Sequence, residues 1–206
     1  IIDNKFKKIN QSKNYIVSFS SGSTGKPKPI LYDQKIKIMR AKQSIKEFNL
    51  KNKDIIICPS PFHHSLGLRL LFIALINKSK LVLMKNFNYT IWKANVIKYN
   101  VSFAIVISNQ LNYLIKDLFN FENEFKSLRI LVSSSASLTK NIKKNFISKT
   151  SKIFYEMYGT AELATVSIQK PQNYNKYFDS VGKICPSVKV KILSKENKFL
   201  KNNQLG

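Results

Sequence analysis

The feature that most constrains the fold is a regular alternation of short apolar runs and longer amphipathic segments through the middle of the chain. The apolar runs are typical of strands and lie at 54–58, 81–84, 103–107, 128–132 and 153–158. The segments between them have apolar residues at helical spacing and lie at 65–76, 91–99, 109–118 and 139–148. Strands that are apolar on both faces are typical of parallel sheets covered by helices on each side. We therefore predict an α/β fold with a doubly wound, largely parallel sheet.

The start of the chain has a different pattern. Apolar residues at 15–19 and 29–32 predict two short strands that pair as a hairpin. Asp33 is a suitable N-cap for a helix that runs to about residue 48. The apolar positions that predict the buried face of this helix are Ile36, Met39, Ile45 and Phe48.

After residue 158 the continuous apolar runs give way to alternation. Residues 165–168 and 188–192 alternate apolar with polar side chains, which is typical of half-exposed antiparallel strands. We therefore predict an α/β core over 1–164 and the start of a β-rich subdomain over 165–206.

The strongest local signal lies between the first two predicted strands. This segment is rich in glycine, hydroxyl and lysine side chains: Ser20, Ser21, Gly22, Ser23, Thr24, Gly25, Lys26, Pro27 and Lys28. Glycines let the backbone curl, so that N–H groups and hydroxyls face one concavity with lysine charge at its rim. Pro27 and Pro29 impose an extended exit, unlike the helix that follows a P-loop. The segment therefore predicts a phosphate-binding loop.

The net charge of +24 raises nucleic acid as a partner. Only Arg40, Arg69 and Arg129 among the 35 basic residues are arginines, whereas sequence-specific base recognition commonly uses arginine. The lysines are spread among asparagines and isoleucines, which share AT-rich codons, and they form no dense basic block. Codon bias therefore explains the charge, and we do not expect a nucleic-acid partner.

Two further features bear on location. No apolar run reaches the roughly 18 residues that a membrane-spanning helix needs. Cys58 and Cys185 have no disulfide or metal-binding spacing, which predicts a protein of the reducing cytoplasm. The chain begins at Ile1 and ends at Gly206, and we interpret both ends as cuts through a longer sequence.

The segment 17–28 resembles the phosphate-loop signature of the adenylate-forming superfamily, which includes acyl- and aryl-CoA synthetases, beetle luciferases and peptide-synthetase adenylation domains. The resemblance continues in the same order over essentially the whole chain. It implies part of the large N-terminal domain of such an enzyme, with the nucleotide-binding core at 1–164. The family's ribose-binding aspartate, hinge and catalytic lysine would lie beyond residue 206, and an N-terminal segment and a C-terminal lid domain would be absent. The resemblance therefore implies that this chain alone binds and catalyses poorly.

A second motif, at 61–67, is similar to the aromatic–histidine segment of acyl- and aryl-acid ligases and luciferases. His64 matches the family histidine near the substrate carboxylate and the thiol acceptor. Amino-acid-activating relatives usually carry an aspartate in this region for the substrate ammonium group, and none occurs here. The resemblance therefore implies a fatty or aryl acid without an α-amino group. Polar residues on the following helix that would line the acid pocket are Asn109, Gln110 and Tyr113.

Two more motifs complete the resemblance. The turn Ser134, Ser135, Ala136 and Ser137 looks like the family's Gly-Gly-Ala-Pro turn beside adenine, with serines in place of both glycines and the proline. The segment 155–162 resembles the Y-G-x-T-E motif. It implies that Tyr158 packs on adenine, that Glu156 meets the adenine amino group and that Glu162 holds Mg²⁺. Gly159 and Thr160 would also contact the nucleotide, while Ala161 replaces the usual Thr or Ser.

These motifs imply that the enzyme joins a carboxylic acid to ATP and transfers the acyl group to a thiol, either CoA or the phosphopantetheine of an acyl carrier protein. His64, Glu162 and Lys28 would serve catalysis. Two alternatives are an amino-acid-activating domain and a basic nucleic-acid-binding domain without catalysis.

Overall fold

A seven-stranded mixed sheet forms the centre of the molecule in the computed structural model, which describes residues 14–20, 28–115, 120–150, 153–201 and 204. The strands are β1 (Asn14–Ser20), β2 (Lys28–Asp33), β3 (Ile55–Cys58), β4 (Lys80–Leu83), β5 (Phe103–Ile107), β6 (Ile130–Ser134), β7 (Phe154–Thr160), β8 (Ala164–Gln169) and β9 (Lys183–Ile184). The order in the large sheet is β4-β3-β5-β6-β7-β8-β9. The pairs from β4 to β7 are parallel, and β8 and β9 pair antiparallel. Strands β1 and β2 form a separate antiparallel hairpin, as predicted.

Helices cover both faces of this sheet. They are α1 (Gln34–Glu47), α2 (Ser65–Asn77), α3 (Tyr89–Lys98), α4 (Ser108–Leu114), α5 (Phe121–Glu124) and α6 (Lys140–Thr150). Helix α2 contributes Leu70 and Ile73 to a core that includes Phe103 of β5. Trp92 of α3 and Phe146 of α6 belong to a second core on the other face. The doubly wound α/β architecture that the apolar runs predicted is therefore confirmed.

Helix α1 begins where it was predicted but buries a different face. The Asp33 carboxylate accepts a hydrogen bond from the Ile36 backbone N–H at 2.6 Å, so the predicted N-cap is confirmed. Ile36 and Met39 are nevertheless 37% and 58% exposed, so the predicted apolar face was wrong at these positions. The buried positions are Lys37, Ala41, Ser44 and Phe48. The small side chains of Ala41 and Ser44 allow α1 to pack closely against α2.

The chain changes direction within the sheet beside β3. Strand β4 pairs with one edge of β3, and the next strand, β5, pairs with the other edge. In open α/β sheets such a switch point opens a crevice at the carboxyl ends of the strands. The segments that follow β3, β5, β6 and β7 all lie at this edge because these strands run parallel.

The C-terminal part departs from the predicted pattern. Strand β8 is antiparallel, as predicted, but all six of its residues are buried, because it lies between β7 and β9 within the large sheet. Residues 188–192 were predicted to form a strand, and this prediction was wrong. The nearest strand-like pairing in the described chain is a single bridge between Leu193 and Phe199. The division into subdomains at residue 165 stays a prediction. No helix in the described ranges has the length and apolar character needed to cross a membrane.

Candidate functional site

A cavity of about 450 Å³ lies at the carboxyl ends of β6 and β7. Its walls come from the turn after β6, the first turns of α6, strand β7 and the segment 178–181. We call it the β6–β7 cavity and define it by Ser133, Ser135, Ala136, Ser137, Leu138, Lys140, Lys143, Glu156, Met157, Tyr158, Gly159, Phe178, Asp179, Ser180 and Val181. Its volume is in the range of small-molecule sites in proteins.

The turn after β6 forms one wall. The Ser108 hydroxyl, at the start of α4, donates to the carbonyls of Ser134 at 3.3 Å and Ala136 at 2.5 Å and holds this turn in place. Ser135 has a φ of 81°, in the left-handed region that favours glycine. The serine thus has a backbone conformation that glycine adopts without strain, at a position where the resembled motif has glycine. The Ser133 hydroxyl is buried without a hydrogen-bond partner among the described residues, so it can serve a ligand.

A buried ion pair lies beside this wall. The Lys143 ammonium lies 2.6 Å from a Glu156 carboxylate oxygen, and the two side chains are 8% and 16% exposed. The same ammonium lies 5.3 Å and 5.2 Å from the rings of Tyr174 and Phe178. Burial, followed by the negative charge of Glu156, raises the pKa of the Tyr174 hydroxyl above its ordinary value. The wall of the cavity therefore carries no net charge at this pair, in which Lys143 is a hydrogen-bond donor and Glu156 an acceptor.

Strand β7 supplies the opposite wall and leads into a tight hairpin with β8. Tyr158 is 52% exposed, and its ring lines the cavity. A Cβ on Gly159 would lie 1.8 Å from the Ala164 carbonyl oxygen, so only glycine permits this hairpin geometry. The Thr160 hydroxyl accepts a hydrogen bond from the Leu163 N–H at 3.2 Å and thereby stabilises the turn.

Side chains from β2 and α1 hold the β7–β8 turn in place through hydrogen bonds. The Tyr32 hydroxyl donates to the Ala161 carbonyl at 2.7 Å. The Arg40 guanidinium donates to the same carbonyl at 3.0 Å and also to the carbonyl of Glu162. These contacts, between segments distant in sequence, hold the exposed Glu162 at the carboxyl edge of the sheet.

His64 lies at the same edge, directly before α2. It is exposed, and its ring centroid is 4.2 Å from that of His63. A Cβ on Gly67 would lie 2.2 Å from the Pro61 carbonyl oxygen, so this glycine allows the loop to fold back against the first turn of α2. The histidine pair is thereby presented beside the helix N-terminus.

Three basic side chains lie between α1 and α2, next to the β7–β8 turn. Lys37, Arg40 and Arg69, which we call the cationic cluster, line one small cavity together with Ser65. Burial and then the charges of Arg40 and Arg69 lower the pKa of Lys37 to about 8. Burial, followed by the charge of Arg40, lowers the pKa of Arg69 to about 10. No motif indicated these residues, because their significance depends on the packing of α1 against α2.

The structure brings together a subset of the residues predicted from sequence. Ser135, Ala136, Glu156, Tyr158 and Gly159 line the β6–β7 cavity. Ser134 and Thr160 are adjacent to it in the chain. Sequence reasoning missed Lys143 and Phe178, for which a lysine-rich helix and an unremarkable loop gave no signal.

The predicted phosphate loop falls mostly outside the described residues. Those not described are Ser21, Gly22, Ser23, Thr24, Gly25, Lys26 and Pro27, together with the side chain of Ser20. Ser20 and the exposed Lys28 are cross-strand neighbours in the β1–β2 hairpin, so the two ends of the loop meet. Of the predicted acid-pocket residues, Gln110 is buried, whereas Asn109 and Tyr113 are exposed.

The suitability of Glu162 for Mg²⁺ can be judged from its setting. Within the described ranges no three His, Cys, Asp or Glu side chains form a metal-binding group. Mg²⁺ bound together with nucleotide phosphates commonly needs only one or two protein carboxylates, because phosphate oxygens and waters complete its shell. A single exposed carboxylate on a fixed turn fits this mode of binding.

Comparisons with known proteins match one family over most of the chain. The family model described as AMP-binding enzyme matches residues 3–206. The chain is 26% identical over 97% of its length to 4-coumarate–CoA ligase of Pinus taeda, and 24% identical over 93% to luciferin 4-monooxygenase of Photinus pyralis. It covers 39% and 36% of these two proteins, so it spans well under half the length of the relatives it matches.

A solved structure shows the same fold. o-Succinylbenzoate coenzyme A synthetase from Bacillus subtilis, in complex with AMP, superposes with a TM-score of 0.85 at 18% identity, over 94% of this chain and 40% of that one. The family match, the relatives and the shared fold lead to one conclusion: the chain belongs to the AMP-binding enzyme family, within the adenylate-forming superfamily.

Proposed function

We propose that the full-length protein activates a carboxylic acid with ATP, forms an acyl-adenylate with release of pyrophosphate, and transfers the acyl group to a thiol. The observation that carries this proposal is the β6–β7 cavity. It gathers Ser135, Glu156 and Tyr158, which the sequence motifs assign to adenine, beside the turn that carries Glu162.

The nucleobase is proposed to occupy this cavity. Tyr158 offers its ring face for stacking, and the Glu156 carboxylate accepts a hydrogen bond from an exocyclic amino group. Lys143 compensates the charge of Glu156, so an uncharged base meets no uncompensated buried charge. The orphaned Ser133 hydroxyl supplies a further polar contact.

The chemistry then takes place at the neighbouring carboxyl edge of the sheet. A substrate carboxylate oxygen attacks the α-phosphorus, and the bond to pyrophosphate breaks. Catalysis of this kind depends on positioning and charge stabilisation rather than on a covalent enzyme intermediate. The loop at 20–28 and Lys28 would hold the phosphates, and Glu162 would hold Mg²⁺, which supplies positive charge at the phosphate oxygens.

His64 is proposed to face the acid and the incoming thiol, either CoA or carrier-bound phosphopantetheine. The acid is proposed to be an acyl or aryl acid rather than an amino acid. Lys37, Arg40 and Arg69 lie beside this end of the site, and their positive charge disfavours an ammonium group. The free, buried Cys58 and Cys185 support a reducing cytoplasm as the proposed location.

Acid-dependent exchange of pyrophosphate into ATP, measured on the full-length protein, tests the proposal. Glu162→Gln should reduce exchange strongly, and the double change Ser23→Ala with Thr24→Ala should weaken ATP binding measured by calorimetry by about tenfold or more. Glu196→Gln is the matched control, because Glu196 is an exposed carboxylate that does not line the cavity. Unchanged ATP affinity in the double variant would contradict the loop assignment, and full exchange in Glu162→Gln would place the metal elsewhere.

A further inference from the structure

The cationic cluster has an unusual electrostatic environment. Lys37 is only 6% exposed, and its ammonium lies 3.6 Å from the centroid of the Tyr32 ring, with no hydrogen-bond acceptor within the part of the chain that the structure describes. Among the described residues, the Arg69 guanidinium donates hydrogen bonds to neutral groups, the Met157 sulfur and the Thr165 hydroxyl, both at 3.2 Å. Buried charges in proteins are ordinarily paired with an opposite charge.

Five of the described carboxylates form ion pairs with cations outside the cluster. Glu47 pairs with Lys170, Asp54 with Arg129, Glu124 with Lys93, Glu156 with Lys143 and Asp179 with Lys140. The charged groups that lower the pKa of Lys37 are Arg40 and Arg69, both of the same sign. Mutual repulsion and desolvation therefore favour occupation of this place by an anion.

The geometry of the cluster suits one end of an anionic group. The cavity between its side chains is about 10 Å³, close to the minimum volume for one water, so it can admit at most a single oxygen atom of a carboxylate. Ser65, the first residue of the 13-residue helix α2, lines it, and the N-cap residue His64 makes no side-chain cap hydrogen bond. The helix N-terminus thus adds its partial positive charge to that of Lys37, Arg40 and Arg69.

We propose that the cationic cluster is a carboxylate-binding subsite that receives the second, distal carboxylate of a dicarboxylic substrate acid. This inference rests on the proposed function and sharpens its substrate class. The cluster lies beside His64, and Arg40 donates hydrogen bonds to the turn that carries Glu162, so the cluster is next to the proposed acid end of the site. It lies on the opposite face of the sheet from Lys143. An uncharged fatty tail would leave Lys37 and Arg69 without a counter-charge among the described residues, and an ammonium group would be repelled.

The test compares chain-length-matched acids in pyrophosphate release by the full-length protein. The pairs are succinate with butyrate, glutarate with valerate, and terephthalate with 4-methylbenzoate. Because a hydrogen bond to a charged group contributes about 1.5–3 kcal/mol, the best diacid should exceed its monoacid in kcat/KM by about tenfold or more. Lys37→Met should bring this ratio close to one, and Lys35→Met, an exposed lysine on the same helix, should leave it unchanged.

Thermal unfolding of the same variants separates the possible outcomes. Succinate, glutarate or terephthalate should raise the Tm of the wild type and of Lys35→Met, with a smaller rise in Lys37→Met, at matched ionic strength.

Preference for monoacids, or a ratio of diacid to monoacid kcat/KM that stays high in Lys37→Met, overturns the subsite while the adenylation chemistry stands. Stabilisation by inorganic phosphate alone, lost in Lys37→Met, assigns the cluster to a phosphate group and also overturns it. Absence of pyrophosphate release with every acid contradicts the proposed function, and the Tm comparison then decides the subsite by itself.

Discussion

Two lysines, Lys143 in the β6–β7 cavity and Lys37 in the cationic cluster, are buried to the same extent, each 6% exposed as a whole residue, yet their surroundings are opposite. Lys143 is paired with Glu156 and lies near two aromatic rings. Lys37 lies near Arg40 and Arg69, and its ammonium is 3.6 Å from the centroid of the Tyr32 ring, with no carboxylate partner among the described residues. The comparison teaches that burial alone does not define the role of a charged residue.

The difference between the two regions follows the chemistry proposed for each. A cavity whose charges cancel is suited to an uncharged nucleobase, since the base need not supply a counter-charge. A cluster of like charges is suited to an anionic group that arrives with the substrate. The first region should therefore be stable without ligand, whereas the second should be destabilising until it is occupied.

The largest expected effect is at the paired lysine. Lys143→Met leaves the Glu156 carboxylate buried without its partner, and we expect a loss of about 3–5 kcal/mol in the free energy of unfolding. Urea denaturation of the full-length protein measures this loss. Lys140→Met is the control, because Lys140 lines the same cavity but its ion pair with Asp179 at 3.3 Å is exposed. We expect that variant to change stability by less than about 1 kcal/mol.

Coupling between the two partners sharpens this result. Adding Glu156→Gln to Lys143→Met removes the uncompensated charge, so the double variant should recover part of the lost stability. If the double variant is as unstable as the sum of the two single variants, the pair does not act as a unit.

The opposite sign is expected at the unpaired lysine. Lys37→Met replaces a buried charge that repels Arg40 and Arg69 by an apolar side chain of similar length. We expect the ligand-free protein to gain about 1 kcal/mol in the free energy of unfolding, measured by the same urea titration. A loss of stability comparable to that of Lys143→Met would show that Lys37 has a compensating partner and would remove the contrast between the two regions.

The pH dependence of stability provides an independent test of whether the buried charge of Lys37 is destabilising. Its pKa in the folded protein is about 8, against an ordinary value of 10.5, so between these values the unfolded state binds more protons. The contribution of Lys37 to stability is therefore least favourable below pH 8 and improves as the pH rises towards 10.5. The advantage of Lys37→Met over the wild type should shrink over this interval in urea unfolding. An advantage that is constant with pH would mean that Lys37 is not the group responsible.

The smallest expected effect concerns the rim of the β6–β7 cavity. Ser135 has a left-handed φ of 81°, which disfavours a side chain, so Ser135→Gly should stabilise the protein by about 0.5–1 kcal/mol after the entropy of glycine is counted. Thermal unfolding can resolve a shift of this size. Ser137→Gly, in the same turn but without a positive φ, should be neutral or destabilising, and equal effects in both variants would contradict the strain argument.

Several features of the fold could be predicted from local sequence. The apolar run at 103–107 forms β5 with the predicted bounds, and Asp33 caps α1, because both depend on side chains close in sequence. The burial of β8 and the absence of a strand at 188–192 could not be predicted, since both depend on which neighbouring strand is available for pairing.

The candidate site divides in the same way. The sequence by itself determined the family, through the order of its motifs. It also predicts that Glu156 and Tyr158 belong to the nucleotide side, because these residues lie in one short segment whose spacing is characteristic. Only the tertiary structure showed which of the many lysines are buried beside other charged groups. Lys143 and Glu156 come from different elements, as do Lys37 and Arg69, and electrostatic interactions depend on distance in space and on burial rather than on separation along the chain.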